Sequence, residues 1–78
     1  MNSDDMENLQ FLLEVMLAQE EDVFEQWYDY NMDIYPEYTQ WMVGLVSEVA
    51  DILAIDHKVA KDKKLAEANK VLEKFMVQ

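Results

Sequence analysis

Pro36 is the only proline in this chain of 78 residues, and Gly44 is its only glycine. Sheet hairpins and tight reversals draw heavily on both residue types. A chain with one of each must run in long elements with few turns. Apolar residues recurring at alternating spacings of three and four make those elements helices. Hydrophobic residues make up 51% of the chain, enough to build a core and too many for a disordered acidic tail. A chain this short buries only about 60–65% of its unfolded surface. It contains no cysteine, so neither disulfides nor thiolate-bound metal can supplement the core, and tight helix packing with self-association is the expected remedy. A zinc site would rest on His57, the one histidine, together with carboxylates, a poor ligand set.

The periodicity predicts three helices. The first runs from about residue 3 to 35, with Met6, Leu9, Leu13, Met16, Val23, Trp27, Tyr30 and Ile34 as its apolar stripe. Ser3 (or Asn2) is its expected N-cap, followed by acids that favour a helix start. The stripe is interrupted at Glu20, and the Gln19–Asp22 stretch could hide a break, but it contains no glycine or proline. Pro36 ends this helix and opens a second, from 36 to 55, because the first turn does not need its missing N–H. Tyr38, Trp41, Leu45, Val49 and Ile52 are the expected buried stripe of the second helix, and Gly44 would admit a close neighbour. Asp56 caps a third helix, 57–77, whose expected buried face is Leu65, Ala68, Leu72 and Phe75. The fold expected is all-α: one helical domain over 1–78, a three-helix bundle with a long first helix, completed as a homodimer. Asn2, Ser3, Asp4 and Asp5 after Met1 are the reverse of a basic secretory start. No apolar run approaches the roughly 18 residues of a membrane span. The expectation is a cytoplasmic protein with no membrane partner.

Charge is the most informative pattern. All six basic residues are lysines at 58, 61, 63, 64, 70 and 74. Fourteen of the seventeen acids precede them, so residues 1–57 carry a formal −14 and residues 58–78 a formal +3, which make up the net −11. The densest stretch is Glu20, Glu21, Asp22, Glu25, Asp29, Asp33 and Glu37, in which Glu21, Glu25, Asp29, Asp33 and Glu37 recur at every fourth residue. Like charges at that spacing face one another on a helix and destabilise it by a few tenths of a kcal/mol each. A merely solvated face would mix in lysines. On one helix these seven acids would span about 27 Å, about one charge per 4 Å, against about one per 3.4 Å along a DNA strand. Tyr28, Tyr30 and Tyr35 stand among them, a residue type suited to interface anchoring. Acids that steer and tyrosines that anchor make Glu20 to Glu37 the expected binding segment, for a protein partner with a basic surface. Direct nucleic-acid binding is not expected, since the acids would repel it. The lysine helix would serve as internal counter-charge or as a second interface.

Two constellations carry possible chemistry. Asp29-x-Asn31-x-Asp33 matches the opening ligands of an EF-hand loop, but Ile34 occupies the glycine turn and Gln40 the bidentate glutamate position. Glu48-x-x-Asp51, within Ser47 to Leu53, resembles half of the magnesium motif of the all-helical MazG-like nucleotide pyrophosphohydrolases. That resemblance implies metal-assisted phosphate chemistry at Glu48 and Asp51. Its other half would be a Glu-Glu-x-x-Glu run. Here Glu20, Glu21 and Glu25 miss that spacing by one residue, a rotation of about 100° round a helix. No base among residues 1–57 could hold a triphosphate. The composition as a whole resembles the small acidic DNA-mimic inhibitors that phages direct against host nucleic-acid enzymes, a likeness of charge and aromatic content rather than of motif. The reading is therefore a protein-binding inhibitor, not an enzyme, with no cofactor and no metal. The alternatives are a MazG-like hydrolase and a structural dimerisation module whose acidic face is only solvated.

Overall fold

The computed structural model describes residues 1–76 and shows four helices in this order: α1 (Ser3–Leu17), α2 (Glu21–Ile34), α3 (Pro36–Ile52) and α4 (Lys58–Met76). The all-α expectation holds, and the three-helix count does not, because the long first helix is two. Residue 77, the expected end of the last helix, lies outside the described residues. No described helix is long and apolar enough to cross a membrane.

The N-terminal cap is a reciprocal one. Asn2 accepts the Asp5 amide at 2.9 Å, and the Asp5 carboxylate accepts the Asn2 amide at 3.4 Å. α1 then ends where the stripe falters. The Gln19 amide donates to the Met16 carbonyl and the Glu20 amide to the Val15 carbonyl, both at 3.1 Å. This is the 5→2 and 6→1 pair of a Schellman ending, with Gln19 in the left-handed region at φ 54°. The same pattern closes α3, where Ala54 has φ 58° and Ile55 bonds back to Ala50 at 2.8 Å. Neither position has the usual glycine, so the faltering stripe is the one mark the sequence carries of the first break. The left-handed conformation costs such a residue about 1–2 kcal/mol. Folding α2 back on α1 offsets that cost by burying Leu12, Val15 and Met16 with Phe24 and Tyr28. A continuous helix would leave much of its stripe wet.

Pro36 opens α3 as expected, and α3 is the centre of the bundle, packed against α1, α2 and α4. Its buried seam is Thr39, Met42, Val43, Val46, Ser47 and Ala50. The expected stripe is therefore displaced: Trp41 is 49% and Ile52 83% exposed, while Tyr38 and Leu45 are half-buried flanks. A helix with three neighbours is lined best by small and β-branched residues, and its bulky aromatics move to the edges. Gly44 is also corrected. A Cβ there would meet nothing within 4 Å, so no neighbour within the chain uses the space.

α4 departs furthest from expectation. Ala60 is its one buried residue, and every residue of Val71–Met76 is exposed. The expected buried face of Leu65, Ala68, Leu72 and Phe75 is open to solvent, with Leu65 at 62% and Phe75 at 70%. α4 instead turns polar residues inward. Glu67 accepts from the Tyr28 hydroxyl at 3.3 Å and from Gln40 Nε2 at 3.0 Å, and the Lys63 ammonium lies 4.9 Å from the centre of the Tyr28 ring. At its start, the Lys58 amide donates to Asp56 at 3.3 Å. His57, in the connection between α3 and α4, is 4% exposed. Its Nδ1 lies 2.8 Å from the Ile55 carbonyl, and its Nε2 lies 3.0 Å from Asp51 Oδ1 without hydrogen-bond alignment, so the ring ties the end of α3 to the start of α4.

Candidate protein-binding face

The helix break reassigns the acids. α2 begins at Glu21, which puts Glu20 at its N-cap position and Glu21 and Asp22 in its first turn. Glu37 falls in the first turn of α3. All four sit where a helix dipole favours negative charge, so folding alone gives them a use. Glu25, Asp29 and Asp33 have none of that support. Asp33 lies in the last turn of α2, which contains no base. There the dipole opposes it.

Round α2, at about 100° per residue, Phe24, Tyr28 and Asn31 face the core, and Asp22, Asp29 and Asp33 face directly away. Glu25 borders them, and Glu21 lies nearer the core side, at the cleft beside Phe24. All seven acids of the segment are exposed. Lys63 reaches Glu25 at 3.9 Å, and among the described residues no other lysine comes within ion-pair distance of the row. Five acids between Glu21 and Asp33 span about 18 Å, so α2 alone retains about one charge per 4 Å. The turn at Tyr35 ends the row, which is shorter than one continuous helix would make it.

The tyrosines divide. Tyr30 is 67% and Tyr35 58% exposed, and both stand beside the acids. Tyr28, expected as a third anchor, is buried at 9%, and its ring belongs to the fold. Burial first, then the Glu67 carboxylate, pushes the Tyr28 phenol above its ordinary value. Burial also raises Tyr38, whose hydroxyl donates to Asp5 at 3.0 Å and accepts from Asn8 at 2.9 Å. Sequence reasoning missed two exposed apolar residues near the acids, Ile34 at 46% and Trp41. Both fell on stripes assigned to the core, and only the rotation of α3 about its axis would have revealed Trp41.

The segment with EF-hand likeness is helical, and the Asn31 side chain bonds back to the Trp27 carbonyl at 2.8 Å, on the opposite side of α2 from Asp29. Glu20 and Glu21 line a cleft with Asp56, His57 and Lys58 that does not include Glu48. Among the described residues no three His, Asp or Glu side chains are grouped to hold a metal ion. No protein-family model, curated protein or solved structure matches this chain.

Proposed function

We propose that this chain is a small inhibitor that occupies the basic, nucleic-acid-binding surface of a partner protein, in the manner of phage-type DNA mimics. The observation that carries the reading is the outward side of α2. Asp29 and Asp33 are kept there exposed and without a base in ion-pair distance, Asp33 also against the dipole. Such charges cost the helix stability and return nothing within the chain. A lysine- and arginine-lined groove would repay them through counterion release and long-range steering. Tyr30, Tyr35 and Trp41 supply exposed aromatic area beside the charge, the kind of residue that anchors an interface once steering has brought it together. The mechanism is occupancy: while the row is bound, nucleic acid is excluded from the same surface. We place this activity in the cytoplasm, a setting that the absence of cysteine supports, and assign it to a homodimer.

The test is capture of lysate proteins on the immobilised chain, eluted with increasing salt and, separately, with duplex DNA. The expected result is stoichiometric retention of a nucleic-acid-handling protein that both treatments release. Retention that DNA does not compete, or no retention at all, would reject mimicry and leave the acids as a solvated surface.

A further inference from the structure

The far side of α4 differs from every other surface of the bundle. Val59, Ala60, Lys63 and Glu67 turn toward α2 and α3, while Leu65, Ala68, Leu72 and Phe75 lie opposite, spaced three, four and three residues apart. That is two heptads of a helix-pairing seam. Leu72 is 57% and Phe75 70% exposed. Lys61, Lys64 and Asp62 border the seam, while Glu67 and Glu73 lie further round the helix.

A matching surface exists on α3. Its side away from the core carries Glu37, Trp41, Gly44, Glu48 and Ile52 in one row. Trp41 and Ile52 are exposed at 49% and 83%. Glu37 and Glu48 have no base within ion-pair distance among the described residues. A Cβ at Gly44 would meet nothing within 4 Å. Glycine is the least favourable residue in a helix interior after proline, and nothing inside the chain explains it there. An open glycine between two exposed apolar side chains is where another helix can approach closely.

We infer that the chain forms a homodimer in which the outer face of α4 of each copy lies along the outer face of α3 of the other. With Ala68 set against Gly44, either direction of crossing brings Lys61 or Lys64 beside a glutamate. Either direction also brings Leu72 or Phe75 against Trp41 or Ile52. A twofold axis makes the contact twice, burying both seams. Charge disfavours parallel pairing of α4 with α4, which would set lysines against lysines, whereas pairing with α3 sets them beside glutamates. The inference goes beyond the inhibitor reading and does not use the α2 row.

Sedimentation equilibrium of the full chain tests it, at about 50 mM and about 500 mM salt. The expected result is a concentration-dependent dimer that weakens with salt. Gly44→Gln should weaken it by about tenfold or more while circular dichroism and the urea midpoint show an intact fold. Lys61→Glu with Lys64→Glu, and Glu37→Lys with Glu48→Lys, should each be monomeric alone and dimerise when mixed, because mixing restores both contacts. A wild-type chain that stays monomeric overturns the inference. So does a dimer indifferent to Gly44→Gln, or one that persists in the Lys61→Glu, Lys64→Glu chain, which would point to α4 pairing with itself.

Discussion

Tyr28 shows at the scale of one residue how this fold joins its two charge classes. Its ring is buried beneath the Lys63 ammonium, and its hydroxyl donates to Glu67. Tyr28→Phe removes that hydrogen bond from a partly buried site and should cost about 0.5–1 kcal/mol at neutral pH. The raised phenol also links the contact to pH. The folded chain holds the Tyr28 proton more tightly than the unfolded chain, whose value is near 10.0. The stabilisation is therefore complete below pH 10 and is lost as pH rises through the higher folded value. Urea midpoints at neutral pH and at pH values above 10 should show the wild-type advantage over Tyr28→Phe vanishing. An advantage that grows above pH 10 would contradict the burial of this phenol.

At the scale of elements, two substitutions separate what the helices need from what they tolerate. Gly44 lies in the interior of α3 with open space where a Cβ would stand. At concentrations where the chain is monomeric, Gly44→Ala should stabilise it by roughly 0.5–1 kcal/mol, read as a higher urea midpoint at unchanged slope. Gln19→Gly should also stabilise, because glycine takes the left-handed turn between α1 and α2 without the side-chain penalty. A lower midpoint for Gln19→Gly would mean that the glutamine side chain contributes more than its backbone costs. These positions also mark how far the sequence could be read. Helix identity, the start of α1 to within one residue (Asn2 caps it, one residue before the expected Ser3) and the Pro36 boundary were legible because each has a local chemical cause. The break at Gln19 was not, because burial of Leu12 and Met16 against Phe24 overrides local preference. The roll of α3 and the outward seam of α4 were hidden for a related reason. Periodicity finds an apolar stripe and cannot say which neighbour covers it. Of the candidate site, the acids were legible as an exposed row. The removal of Tyr28 from it depended on where α4 lies.

The whole molecule carries a formal −11, the sum of −14 in residues 1–57 and +3 in residues 58–78. Self-repulsion of that size weakens the compact state and is relieved by screening. The melting temperature should therefore rise between about 10 and about 200 mM salt, whereas attachment to a basic partner should weaken over the same range. Opposite signs for stability and binding distinguish a working acidic surface from a fold that merely tolerates its charge. The choice of residues for the decisive experiment follows from the structure. Glu25 contacts Lys63, and Glu21, Asp22 and Glu37 support helix starts, so Asp29 and Asp33 are the acids whose reversal disturbs the fold least. The most direct measurement is the affinity of the Asp29→Lys, Asp33→Lys chain for the partner captured by the wild type, with circular dichroism recorded on the same sample. The account predicts a loss of about tenfold or more, with a shallower dependence on salt and unchanged helicity. Equal affinity in a folded chain would show that the acidic side of α2 is not what the partner recognises.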